Sequence, residues 1–162
     1  MISIRKYTPK DIPAMLDIWN NIVEKGLAFP QIDKMDFNEG ERFFAEQTFT
    51  AVAIKGNEVV GLYILHPNNI GRCGHIANSS YAVKSNYRGL KIGEKLVHHS
   101  LEKAMEYGFR IMQFNAVVIS NATAIHLYEK IGFQRLGIIP KGFLLKNGEY
   151  EDIILYYIEL GN

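Results

Sequence analysis

Two glycines and two basic residues in the stretch Tyr87-Arg88-Gly89-Leu90-Lys91-Ile92-Gly93-Glu94-Lys95-Leu96-Val97 are the part of this chain best suited to chemistry, and the chemistry they suit is anion binding. The segment joins a strand-like run to an amphipathic helical pattern through a short basic turn. At the first turn of a helix several N–H groups lack an intrahelical acceptor and the helix dipole is positive, so a phosphate is stabilised there without a dedicated side chain. Gly89 and Gly93 let a ligand approach the main chain, and Arg88 and Lys91 add positive charge. The same glycines equally suit an ordinary tight turn. Two better-known phosphate loops are absent. Gly93 is followed by Glu94 and Lys95 where the Walker pattern needs Lys and a hydroxyl, and no Gly-x-Gly-x-x-Gly is present, which disfavours nucleotide hydrolysis and hydride transfer.

Other reactive side chains carry less. His98 and His99 are adjacent and so do not share one helical face as a metal pair would. Cys73 stands alone in a glycine-bearing loop, without a partner motif for a catalytic thiol or an internal disulfide. No metal site is expected. Phe29, Phe37, Phe43 and Phe44 suit the lining of a pocket or, at helical spacing, a core.

The elements that must position these residues follow from pattern. Ile2 to Tyr7 alternates as a strand, and Thr8-Pro9-Lys10-Asp11 reads as a capped helix start with an apolar stripe of Ile12, Met15, Leu16, Trp19, Ile22 and Val23 before Gly26. A second helix is expected over Asn38 to Gln47. Strands follow at Phe49 to Lys55 and Glu58 to His66, with a tight turn at Gly56-Asn57 between them. His75 to Val83 is the strand that feeds the basic turn, and the helix beyond it runs to Gly108. Then come a strand at Arg110 to Val118, a helix at Ala122 to Ile131 capped by Asn121, and two strands, Phe133 to Leu145 and Glu149 to Glu159, turned at Asn147-Gly148. This order implies one α/β domain over residues 1–162, with a mixed sheet and helices on both faces.

With 162 residues the chain is long enough to bury roughly 70% of its unfolded surface in a single core. Its net charge of +1 gives no general attraction to nucleic acid or to a membrane, and no apolar run of spanning length is visible. A cytoplasmic protein with a small-molecule partner is expected, with a homodimer left open.

A second segment completes the pattern: Asn121-Ala122-Thr123-Ala124-Ile125-His126-Leu127-Tyr128-Glu129-Lys130-Ile131-Gly132-Phe133. Taken alone, Tyr128 on an apolar helical face reads as a core tyrosine. Together with the basic turn, however, the chain resembles the GNAT superfamily of N-acetyltransferases, whose cofactor motif is Arg/Gln-x-x-Gly-x-Gly/Ala and whose later motif is Asn-x-x-Ala-x-x-Leu-Tyr-x-x-x-Gly-Phe. One position departs, since Lys91 stands where the internal glycine is usual. If that position needs positive φ, a lysine there costs on the order of 1–2 kcal/mol.

The resemblance implies the GNAT fold, a mostly antiparallel sheet of about seven strands, and acetyl-CoA as cosubstrate. It implies that Arg88, Gly89, Leu90, Lys91, Ile92, Gly93 and Glu94 hold the pyrophosphate, that backbone groups near Ala82 and Val83 pair with the pantetheine arm, and that Asn121 bonds that arm or orders the turn. Tyr128 would lie near the thioester sulfur as proton donor. The strand His75-Ile76-Ala77-Asn78-Ser79-Ser80-Tyr81-Ala82-Val83 lacks the carboxylate that many members use as base, which leaves His75 and Tyr81 as the titratable groups there. An α-amine of pKa near 8 is substantially neutral without a base, whereas a lysine amine near 10.4 is not, so a small amino acid is favoured as acceptor. The sequence is also similar to acetyltransferases of proline analogues and of phosphinothricin. That similarity implies Asn78, Asn115 and Ala116 as holders of the acceptor carboxylate, Asn78 also in a catalytic role, and Phe29 beside them. The asparagines equally suit the satisfying of backbone groups at strand irregularities. Acetylation of a protein N-terminus or lysine, and a non-catalytic acetyl-CoA-binding module, are the competing readings.

Overall fold

The computed structural model describes residues 1–87 and 89–161. Its elements run β1 (Ile2–Lys6), α1 (Ile12–Lys25), α2 (Phe37–Ala45), β2 (Phe49–Lys55), β3 (Glu58–Pro67), β4 (Ile76–Val83), α3 (Ile92–Glu106), β5 (Ile111–Val118), α4 (Ala122–Ile131), β6 (Gln134–Leu144) and β7 (Tyr150–Glu159). The expected mixed sheet with helices on both faces is present, in the order β1-β2-β3-β4-β5-β7-β6. Every pairing is antiparallel except β4 with β5.

Capping corrects the expected second helix, which is shifted toward the N-terminus. Asp36 accepts the Glu39 N–H at 2.8 Å while the Glu39 carboxylate accepts the Asp36 N–H at 3.0 Å, so α2 begins at Phe37 and stops at Ala45. α1 is fixed to β1 by Asp11, whose buried carboxylate accepts from the Arg5 guanidinium at 2.7 and 3.1 Å and from the Thr8 N–H at 2.7 Å.

Two cores cover the two faces. One packs Ile92, Leu96 and Val97 of α3 over Ala77 of β4, Met112 and Phe114 of β5 and Tyr156 of β7, with α4 alongside. The other packs Met15, Trp19 and Val23 of α1 and Phe44 of α2 over Leu62 and Ile64 of β3 and Ala82 of β4. Odd positions of β4 therefore face α3 and α4, and even positions face α1 and α2. Among the described residues no helix is long and apolar enough to cross a membrane.

The feature that makes a site is a split between the two parallel strands. β4 and β5 are joined only at Ile76↔Ile111 and Ala77↔Met112, although β4 stays on β3 as far as Val83 and β5 stays on β7 as far as Val118. Part of the cause lies in β5. Asn115 and Ala116 together oppose Leu155, between the pairs Phe114↔Tyr156 and Val117↔Ile154, and such a bulge bends its strand.

Candidate active site

The basic turn lies at the open end of this split. Gly89 has φ 83° and Lys91 has φ 59°, ψ 26°, so the internal position of the loop is left-handed and Lys91 occupies it at a cost of about 1–2 kcal/mol. Lys91 is the residue before α3, which leaves the N–H groups of Ile92, Gly93 and Glu94 without intrahelical acceptors. A side chain at Gly93 would stand 3.6 Å from Leu127 of α4 and 3.9 Å from Val83 of β4, so its absence opens a cradle between α3, α4 and β4. The Glu94 carboxylate, whose negative charge would oppose a phosphate, is turned to Lys130 of α4 at 2.7 Å, and that bond holds it below the usual carboxylate range. On the other side, Glu58 receives the Lys84 ammonium at 2.5 Å and the Tyr87 hydroxyl at 2.7 Å, tying the chain before the loop to β3. Leu90 is exposed. Arg88 lies outside the described residues.

Register decides which backbone groups of β4 enter the split. Lys84 donates its N–H to Val60, and Asn68 donates its N–H to Ile76 at the other end, so even-numbered residues of β4 turn their peptide groups to β3 and odd-numbered residues turn theirs away. Tyr81 and Val83 thus offer N–H and C=O to the gap. Ala82 does not, because its groups are committed to Leu62, which corrects the expectation for that residue. An extended amide-bearing chain laid in the gap would bond Tyr81 and Val83 as a strand does.

Tyr128 faces the same gap from α4. Its ring lies 4.5 Å from Phe114 and 5.6 Å from Phe133, and 6.4 Å from Tyr81, so it packs as a core tyrosine while bordering the gap. Burial pushes its phenol well above the usual value, and its hydroxyl has no hydrogen-bond partner among the described residues. A phenol so held stays protonated at neutral pH and would be available as a proton donor. Asn121 orders the turn, since its side-chain oxygen accepts the Ala124 N–H at 3.2 Å. Tyr81 does not suit a base, because Ser100 donates to the Val97 carbonyl and the Tyr81 hydroxyl must then donate to Ser100, at 2.6 Å, with its pKa pushed up by burial to about 12.

The opposite face carries the amides. Asn78 is the first residue of β4 beyond the last β4–β5 pair, and its even parity turns it toward the α1/α2 side, as does Asn115 at the bulge. No hydrogen bond joins the two among the described residues; both donate to Asn68, at 3.0 and 2.6 Å. Sequence reasoning missed Asn68 altogether. It also missed His66, which is opposite Asn78 in register and donates its Nδ1 proton to the Pro67 carbonyl at 2.9 Å, so that Nε2 is not needed for that bond. Ala116 packs with Val118, Phe143 and Ile153. Phe29 is a correction: it is buried against Trp19, with ring centroids 4.3 Å apart, and supports the α1/α2 layer rather than lining an opening. His75 sits at the closed end of the split, where its carbonyl accepts the Arg110 N–H, and Cys73 is exposed.

The split sheet, the helix N-terminus at its mouth and the buried phenol agree with what the sequence of the whole chain matches. The sequence model of the Acetyltransferase (GNAT) family matches residues 13–133. The chain belongs to that family. It is 32% identical over 155 residues to the N-acetyltransferase aca1 of Schizosaccharomyces pombe, covering 85% of this chain and 74% of that one. To the L-amino acid N-acetyltransferase AaaT of Escherichia coli it is 30% identical, over 66% of this chain and 64% of that one. A GNAT-superfamily phosphinothricin acetyltransferase from Sinorhizobium meliloti, solved with acetyl-CoA, superposes with a TM-score of 0.91 at 20% identity, over 99% of this chain and 89% of its own, which shows the common fold. The chain is thus an N-acetyltransferase of this family, and acetyl-CoA is the donor bound to that neighbour. The chain's residues would suit such a donor, since the Gly93 cradle borders Val83 of β4, the first N–H groups of α3 lack intrahelical acceptors and the odd-numbered peptide groups of β4 open on the gap.

Proposed function

We propose that the protein moves an acetyl group directly from acetyl-CoA to the amine of a small amino acid or analogue, with donor and acceptor meeting through the β4–β5 split. One observation carries the acceptor class: the Asn78 and Asn115 amides stand together, through Asn68, on the α1/α2 face where the β4–β5 ladder ends. Carboxamide N–H groups suit a carboxylate, and a charged acceptor roughly doubles the strength of such a bond. The relative named as an L-amino acid N-acetyltransferase is in keeping with this reading.

The reaction then divides by face. The acceptor's neutral amine forms the new N–C bond at the thioester carbonyl; as the C–S bond breaks, the sulfur receives the Tyr128 proton and the amine's surplus proton leaves on the α1/α2 side, to His66 or water. The phenol is finally reprotonated from solvent. The ordinary α-amine value near 8 holds for a peptide terminus; beside a free carboxylate the amine is held as ammonium at neutral pH, so it must first shed a proton to water or His66.

The test is thiol release, with product mass, across amino acids, amino-acid amides, polyamines, aminoglycosides and lysine peptides, using the wild type and Asn78→Ala. Amino acids should turn over best, and Asn78→Ala should lower their kcat/KM roughly 10- to 150-fold and that of the amides much less. Preference for lysine peptides would replace this acceptor class. Acetyl-CoA binding without thiol release from any amine would indicate a binding module.

A further inference from the structure

Asn68 lies one residue beyond β3, half-buried, with its N–H on the Ile76 carbonyl at 2.7 Å. Its side-chain oxygen accepts one N–H from Asn78 on β4 at 3.0 Å and one from Asn115 on β5 at 2.6 Å. A carboxamide oxygen has two lone pairs, so this one is saturated and has no capacity left for a substrate. Asn115 is held at both ends, because its own oxygen accepts from Gln113 at 3.0 Å. What remains is one N–H on Asn78, one N–H on Asn115, both side-chain N–H groups of Asn68 and the Asn78 oxygen, none of which has a partner among the described residues. The planar NH₂ geometry directs the remaining N–H groups of Asn78 and Asn115 away from Asn68.

We infer that Asn68 is a positioning residue that sets specificity for α-amino acids: by occupying one N–H of each neighbouring amide it fixes their orientation, so that two N–H donors meet the acceptor's carboxylate and the Asn78 oxygen meets its amine. An α-amino acid carries the two complementary groups on one carbon, a polyamine lacks the carboxylate, and a carboxamide offers one neutral acceptor in place of two charged ones. The inference rests on the amino-acid reading above and goes beyond it in naming what orients the amides.

The test compares an amino acid with its carboxamide, using wild type, Asn68→Ala and Asn68→Asp, with kcat and KM determined separately and acetyl-CoA affinity measured by calorimetry. Asn68→Ala should raise KM for the acid roughly tenfold or more and for the carboxamide much less, with kcat and acetyl-CoA affinity each within about twofold. Asn68→Asp keeps an acceptor for both N–H groups while adding a charge beside the carboxylate, so it should spare the carboxamide and raise KM for the acid alone. If Asn68→Ala does not fold, Asn68→Asp carries the test by itself. Equal losses for acid and carboxamide, or a fall in kcat with KM unchanged, would reduce Asn68 to a tie between strands and overturn the inference. If the wild type does not distinguish acid from carboxamide, the amino-acid reading fails first and takes this inference with it; the wild-type measurements alone separate that case from a failure at Asn68.

Discussion

The two faces of the β4–β5 split are built by different means. On the α3/α4 face the site is made of main chain and one buried phenol: the first-turn N–H groups of α3, the odd-numbered peptide groups of β4 and Tyr128. On the α1/α2 face it is made of side-chain amides brought together from β4, β5 and the residue after β3. Backbone recognition suits a donor that never varies. Side-chain recognition leaves the acceptor open to change by single substitutions, without disturbing the strands.

That difference predicts unequal consequences. The largest is on the donor face, where Tyr128→Phe should lower kcat by roughly 10²–10⁴-fold with acetyl-CoA affinity unchanged, as measured by single-turnover thiol release. Because burial holds the phenol well above its usual pKa, the wild-type rate should show no loss from its ionisation as pH rises to about 10. An undiminished rate in the Phe variant would return Tyr128 to packing alone and remove the side chain assigned to the chemical step on the donor face.

Next, Gly93→Asp should weaken acetyl-CoA binding by roughly tenfold or more, since it puts a side chain and a negative charge into the cradle beside Leu127 and Val83. An acidic residue in a first helical turn does not oppose folding, so calorimetry on the folded variant is decisive. Affinity equal to the wild type would move the phosphate site elsewhere.

Lys91→Gly separates geometry from charge within the same loop. Relief of the left-handed lysine, less the added freedom of glycine in the unfolded chain, should stabilise the protein by about 0.5–1 kcal/mol in a urea titration. Acetyl-CoA affinity should fall slightly with the lost charge. A destabilised Gly variant would mean that the lysine side chain secures the loop.

The smallest effect concerns the wall behind the acceptor face. The Arg5 guanidinium holds the Asp11 carboxyl below its usual range, so Asp11 contributes stability above the ordinary carboxylate pKa and loses it as pH falls through its lowered folded value. With Arg5 partly exposed the contribution is about 1 kcal/mol. The stability gap between wild type and Asp11→Asn, followed by denaturant titration, should therefore close below about pH 4. A gap that persists into acid would place the loss in packing and not in the ion pair.

The same contrast explains what could be read from sequence. The geometry of the proposed donor face was legible because its requirements are local: a left-handed loop, a helix start and the Asn121-to-Phe133 run lie in short contiguous segments, and Lys91 was recognisable as strained if its φ were positive, as it is. Ala82 was misplaced because which peptide groups enter the split depends on the pairing of β4 with β3, a long-range register that no local pattern states. Asn68 left no trace because it meets Asn115 across 47 positions of sequence, and Phe29 was misread because an aromatic at a helix exit looks the same whether it lines an opening or packs on Trp19. The α2 boundary moved because Asp36, not a residue nearer the apolar stripe, caps the helix.

The central claim is that donor and acceptor occupy opposite faces of one split at the same time. Initial velocities measured over a matrix of acetyl-CoA and amino-acid concentrations test it directly. Intersecting double-reciprocal lines are the predicted result, because both substrates must be bound before the acetyl group moves. Parallel lines, accompanied by an acetylated protein after incubation with acetyl-CoA alone, would show transfer through the enzyme itself and contradict the account.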